Sequence, residues 1–158
     1  MGITHFDKVC GVNGVYYGAA GLEERMASIT YLKEAFAVAD FTDGGGASGT
    51  YALTKTLPAG SIPLGWAFVC TGPFTGDVSA VIKVGIATDD DRFSADTTGS
   101  VFAAGTIGSL ALVADACKGI AGEVTVLVTV TTDTTFADCQ TDDKGAGTLY
   151  LFYGRLVV

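Results

Sequence analysis

LPAGSIPLGWAFVCTGPFTGDVSAVIKVGIATDDDRF, residues 57–93, reads as an apolar strand, a Gly/Pro turn, a second strand and a polar loop. Successive side chains of an extended chain point to opposite faces. Ile62, Leu64, Trp66, Phe68 and Cys70 therefore share one face, and beyond the turn at Gly72, Pro73, Gly76 and Asp77 so do Ile82, Val84 and Ile86. The stretch is scaffold: it is patterned to pack, and Trp66 belongs to its core face.

Working outward, Val124–Thr132 is the clearest strand, with Val124, Val126, Val128 and Val130 on one side and Thr125, Leu127, Thr129 and Thr131 on the other. The closing strand, Thr148–Leu156, carries large apolar groups on both faces: Leu149, Leu151 and Tyr153 on one, Tyr150, Phe152 and Leu156 on the other. Both sides need cover, as in a central strand whose outer face is shielded by an N-terminal arm or a neighbouring subunit. Ile29–Phe41 fits helical and strand spacing alike. The TDGGGASG turn and TYALTKTL that follow decide for a strand, paired with the next as an antiparallel hairpin. Between Ser100 and Gly122 the Ala/Gly-rich SLALVADACKGIAG is open to strand or helix. About seven or eight short strands without alternating helices predict an all-β fold, an antiparallel β-sandwich of jelly-roll type over residues 29–158.

Residues 1–28 hold Gly11, Gly14, Gly18 and Gly21, which break any period, together with His5, Phe6, Tyr16 and Tyr17. The expectation is an extended N-terminal arm lying on its own sheet or on another subunit, since disordered tails are poorer in large apolar groups.

With 158 residues the chain suits one domain with a sizeable core. Only 16% of residues are charged, against about 25% in an average domain, so the surface is left to Thr, Ser, Gly and Ala and favours assembly. A net charge of −8 and pI of 4.3 argue against direct nucleic-acid binding. The mean hydropathy of +0.44 is spread over strands; no run approaches the ~20 apolar residues that span a bilayer as a helix, and Gly-rich turns and a low strand count weigh against a transmembrane β-barrel, so no membrane is expected. The N-terminal MGITHFDKVCGVNG lacks the pattern of a secretory signal, so the expected site of synthesis is the cytosol. Cys10, Cys70, Cys117 and Cys139 form no C-x-x-C pair, which favours reduced thiols over zinc, with Cys70 in the core.

Catalytic chemistry is not indicated. His5 is the single histidine, and near a terminus it is poorly placed as a base. Asp89, Asp90 and Asp91 lack EF-hand spacing and read as an acidic solvated turn; Asp142 and Asp143 read as turn residues ahead of the last strand. GGGASG at 44–49 lacks the Lys of a phosphate loop. The expectation is no enzyme, no cofactor and no metal.

From Gly49 onward the order SGTYAL, LPAGSIPLGWAF, TGPFTGDVSAVIKVGIATDDDRF, a Gly/Ala-rich middle, VTVLVTVTTDT and GAGTLYLFYGRL resembles head-decoration (cement) proteins of tailed bacteriophages. The resemblance rests on Leu57-Pro58-Ala59-Gly60, on Ser79–Gly85 with Asp91-Arg92-Phe93, and on Gly147–Leu151. It implies a jelly-roll-like subunit, often a homotrimer, on the outside of an icosahedral head. Such a subunit is made in the host bacterial cytoplasm, carried in the virion, and clamps the major capsid protein. On that reading His5, Phe6, Tyr16 and Tyr17 are the capsid-contacting arm residues, because aromatics bury much area per ordered side chain. The alternatives are a carbohydrate- or receptor-binding sandwich of a phage fibre or spike, or another head or tail component.

Overall fold

The computed structural model describes residues 29–94, 100–109 and 119–155. The expected arm, 1–28, with His5, Phe6, Tyr16 and Tyr17, lies outside them, as do Cys10, Cys117, Leu156 and most of the Ala/Gly-rich segment. Eight strands are described: β1 (Ile29–Ala37), β2 (Thr42–Asp43), β3 (Ser48–Leu57), β4 (Ser61–Gly72), β5 (Ala80–Gly85), β6 (Gly105–Ser109), β7 (Val124–Thr132) and β8 (Ala146–Arg155). They form two antiparallel four-stranded sheets, ordered β1-β8-β4-β6 and β2-β3-β7-β5, packed as a β-sandwich. We call them the β8 sheet and the β7 sheet after a central strand of each.

Apart from the short β2–β3 hairpin, successive strands alternate between the sheets, so neighbours within a sheet come from distant parts of the chain. With β2 set aside as a two-residue edge, the order is that of a jelly roll, B-I-D-G over C-H-E-F. Its F position is reduced to one bridge between Val81 and Ser100. The expected hairpin between the first strand and TYALTKTL is corrected by this topology. β1 pairs β8 along its whole length, Ile29 opposite Gly154 to Ala37 opposite Ala146, and β3 lies in the other sheet. The hairpin of that region is confined to Thr42 and Asp43 against Thr50 and Gly49.

β7 follows the sequence pattern over most of its length: Val126, Val128 and Val130 are buried and Thr125 and Thr131 are not, but Val124 is only half-buried and Thr129, on the outward side, is buried as well. β8 is likewise central in its sheet, with Leu149, Leu151 and Tyr153 inward. In β4 the single-face reading fails at Gly65. Leu64 and Gly65 occupy the space of one residue between Pro63 opposite Tyr153 and Gly65 opposite Phe152. This bulge, with φ 152° at Gly65, shifts the alternation. Trp66, Phe68 and Cys70 are buried, whereas Ile62 and Leu64 are only partly so. Trp66 is a core residue, as the sequence suggests.

The core divides into two halves. Between the sheets it is aliphatic; toward the end where β1, β4 and β7 finish, it is an aromatic plug. There Phe36 stacks on Phe68 with centroids 5.4 Å apart, and Phe41 meets Phe36, Phe74 and Phe136 at 5.5–6.0 Å. Each such ring removed from water contributes about 1.5–3 kcal/mol before its entropy cost. Room for the plug comes from Gly147, whose Cβ, were there one, would lie 2.2 Å from the Phe68 ring. A helix the sequence did not announce, α1 (Phe136–Asp142), closes this end by burying Phe136 and Cys139. It stops at Asp143, whose left-handed φ of 49° is one that Asp tolerates. Cys70 and Cys139 are free and buried, and burial pushes both thiols up from their ordinary range.

Candidate functional site: two unlike outer surfaces

The jelly-roll register sets the residues of β1, β8 and β4 side by side on the outer face of the β8 sheet. Tyr31 lies opposite Phe152, Lys33 opposite Tyr150, and Ala67 on the other side of Tyr150. Tyr31 is 54% exposed, with its ring 5.9 Å from Tyr150 and 6.1 Å from Phe152, inclined by 56° and 64°. The Lys33 ammonium sits 5.5 Å over the Tyr150 ring. The remaining outward positions of β4 are small or aliphatic, such as Ala67 and Val69. Among the described residues of this face no carboxylate points outward. Glu34, alternating with Lys33, turns instead across the open side of the sandwich to β3.

There Glu34 stitches the sheets together. It accepts from the Tyr51 hydroxyl at 2.6 Å, from the Thr54 N–H at 2.8 Å and hydroxyl at 2.9 Å, and from the Lys55 N–H at 3.3 Å. The Thr54 and Lys55 donors belong to the irregular stretch of β3 between Ala52 and Thr56, whose backbone leaves the β7 ladder, and Tyr51 stands just before it. Desolvation would raise the Glu34 carboxyl, but the four hydrogen bonds outweigh it and hold it below its ordinary range. The same bond pushes Tyr51 up to about 12. The Lys55 ammonium donates to the Lys33 carbonyl at 2.9 Å, and an Asp40 oxygen accepts from the Ala37 N–H at 2.8 Å. Both contacts blunt the free edge of β1.

The second surface is the end closed by α1. Asp40, Asp43, Asp77, Asp133, Asp138, Asp142 and Asp143 all lie in its turns, its short β2 and its helix, against Lys144 alone, a net charge of −6. The other described ionisable residues cancel: five acidic (Glu34, Asp89, Asp90, Asp91, Glu123) and five basic (Lys33, Lys55, Lys83, Arg92, Arg155). The net charge of the described residues thus sits at one end. Asp77 pins the β4–β5 loop there. One oxygen accepts from the Val78 N–H at 2.6 Å; the other accepts from the Thr134 N–H at 2.7 Å, the Thr134 hydroxyl at 3.0 Å and the Thr135 N–H at 3.3 Å. The Thr134 N–H is the chief cause that holds this carboxyl at about 2. Asp142, which accepts from the Thr75 hydroxyl and from Lys144 at 2.9 Å, is lowered as well. The clasp leaves Val78 standing out, 79% exposed.

The structure resolves the acidic triplet into local roles. Asp89 closes a tight turn with Ile86 through mutual backbone hydrogen bonds of 2.8 and 3.0 Å, and Asp90 lies 3.8 Å from Lys83. Asp142 ends α1 and Asp143 caps it. Among the described residues no group of three or more His, Cys, Asp or Glu side chains is gathered as a metal ion would require. No helix among them is long and apolar enough to cross a membrane.

Sequence reasoning flagged Tyr150 and Phe152 as needing cover but missed Tyr31, which joins them only through the pairing of β1 with β8. It missed Val78 as well, since nothing in TGDVSA marks one valine as a projecting tip. No family model, curated protein or solved structure matches this chain.

Proposed function

We propose that this chain is a virion structural protein that decorates and stabilises the outside of an icosahedral phage head by binding the major capsid subunits. The observation that carries the reading is the outer face of the β8 sheet, where three aromatic rings stand together across β1 and β8 with Tyr31 half in water. Exposed apolar area held on a firm scaffold is what a binding module offers and what a freely soluble domain avoids. The order of sequence elements, which resembles that of head-decoration proteins, supports the same reading. So does the low charge content, which leaves surface for many modest contacts.

Such a protein acts by mass action. It binds the mature lattice better than its precursor, and that difference stabilises the mature state without any bond being made or broken. The ring planes bear on the carbohydrate-binding alternative. Inclined by 56° and 64°, they form a corrugated surface suited to interdigitating side chains and not a flat platform for a sugar. Trp66, the residue that alternative most needs, is 2% exposed.

Co-sedimentation of the purified chain with heads that lack it tests the proposal. Saturable binding near one copy per shell subunit, or per small fixed group of them, is the expected result. Binding no greater than that of an unrelated acidic domain overturns it.

A further inference from the structure

The exposed large apolar side chains of the described structure, Tyr31 and Val78, stand at diagonally opposite corners. Tyr31 is near the start of β1, at the edge of the β8 sheet and away from the acidic end. Val78 precedes β5, at the edge of the β7 sheet and at the acidic end; because β1 lies over β3, this is the opposite flank. Their surroundings are opposite in charge. Around Tyr31 are two further aromatic rings and the Lys33 ammonium, with no outward carboxylate among the described residues. Around Val78 are Asp77 and, beyond Thr134 in the same clasp, the exposed Asp133.

We propose that the two corners bind each other between copies of this chain: the Val78 loop of one copy seats on the Tyr31, Tyr150 and Phe152 face of the next, with its flanking carboxylates against Lys33. An apolar knob on an aromatic seat, rimmed by opposite charges, is the usual division of labour in a protein interface. The Asp77 clasp presents the knob already ordered, which lowers the entropy cost of binding. Contact of acidic end with acidic end is disfavoured by repulsion, so copies meet head to tail. A head-to-tail contact uses two different patches and closes into a ring when its rotation permits. The inference draws on the same aromatic face as the proposed function, so the two are tested apart: assembly is measured with no head present and head binding is measured separately.

The test is sedimentation equilibrium of the full chain over a range of concentrations, at low and high salt. It compares the unaltered protein with Val78→Ser, Tyr31→Ser, Lys33→Asp and Lys33→Asp/Asp133→Lys. All of these positions are on the surface, and circular dichroism confirms that each variant is folded. The expected result is a concentration-dependent closed oligomer, weakened by salt. Val78→Ser and Tyr31→Ser should each raise its midpoint concentration about tenfold or more. The charge-reversed double variant should recover much of what Lys33→Asp alone loses. A chain that stays monomeric at every concentration overturns the proposal. So does an oligomer that Val78→Ser leaves intact, whether Tyr31→Ser dissolves it, which means face meets face, or Tyr16→Ser/Tyr17→Ser does, which means residues 1–28 hold the copies together.

Discussion

The two sheets treat water differently although they share one core. On the outer face of the β7 sheet, Thr129 lies between Thr50 and Lys83, Thr125 lies opposite Thr56, the Ser48 and Thr131 hydroxyls meet at 3.0 Å, and Leu127 and Val81 are the apolar exceptions. β-branched hydroxyl side chains favour a pleated surface and remain satisfied in solvent. On the outer face of the β8 sheet the corresponding positions hold Tyr31, Tyr150, Phe152, Ala67 and Val69. Inward residues are dictated by the need to fill the sandwich; outward residues are free to be anything water accepts. Where that freedom is used for threonine the sheet is finished with groups that water satisfies, and where it is used for aromatics the sheet keeps apolar area in water.

The sharpest way to break this contrast is to compare two phenylalanines of the β8 sheet that face opposite ways. Phe68 is fully buried, stacked on Phe36 and seated against Gly147. Phe68→Ala should cost about 3–5 kcal/mol in urea unfolding, through lost transfer energy and the cavity left behind. Phe152→Ala, on the outer side, should cost about 1 kcal/mol or less in the same measurement. Equal losses would mean that the outer face is a second core of the lone chain.

The seam between the sheets gives the next largest effect. Glu34→Gln keeps the shape but weakens four hydrogen bonds, and should cost about 1–2 kcal/mol, toward the lower figure because the site is partly wet. Its pH signature has two limbs. The Glu34 carboxyl is lowered from 4.5, so its contribution is complete above that value and fades as pH falls below it. Tyr51 is raised from 10.0 to about 12, so its contribution is complete below pH 10 and fades as pH climbs toward 12. Chemical denaturation across pH should show both limbs, and Glu34→Gln should flatten both. An unchanged profile would show that β1 and β3 are held by packing alone.

How much of this was legible follows from which links are local. β7 and β8 were readable because alternation within nine or ten residues fixes which side chains share a face. Pairing was not, since β1 meets β8 more than a hundred residues away and an alternating strand fits many partners. The nearer turn therefore suggested a hairpin with β3, and with β1 misplaced Tyr31 could not be brought to Tyr150 and Phe152. Gly65 undid an apparently perfect alternation because a bulge costs one glycine and leaves no other mark. α1, seven residues long, is too short for a helical period, and its buried Phe136, like Phe74 in the Gly/Pro turn, carries no sign of the aromatic plug it joins.

At the acidic end the effect is local. Asp77 keeps its charge, and with it the clasp, from neutral pH down through its ordinary value of 3.8, and releases it only as pH falls toward about 2. Protection of the Thr134 and Thr135 amides, measured against the exchange rate of the unfolded chain at each pH, should therefore hold at pH 4 and fall toward pH 2. Asp77→Asn should lack that protection at both amides at every pH while β7 stays protected. Slow exchange in Asp77→Asn would mean that the loop is held by its backbone and that Val78 owes nothing to the carboxylate.

The smallest effect on stability is the most telling for the contrast between faces. Tyr31→Ser and Thr125→Ser both alter exposed outward residues of a strand, one on each sheet. Each should move the thermal midpoint of the dilute chain by no more than about 0.5 kcal/mol allows, because neither leaves a cavity nor strands a buried polar group. They should part company in co-sedimentation with heads: Thr125→Ser binds as the unaltered chain does, and Tyr31→Ser binds more weakly. A threonine hydroxyl exchanged for a serine keeps its water, whereas the tyrosine ring is apolar area whose only gain lies in being covered. If the two variants bind alike, the aromatic face is tolerated surface and adhesion must be sought elsewhere on the molecule.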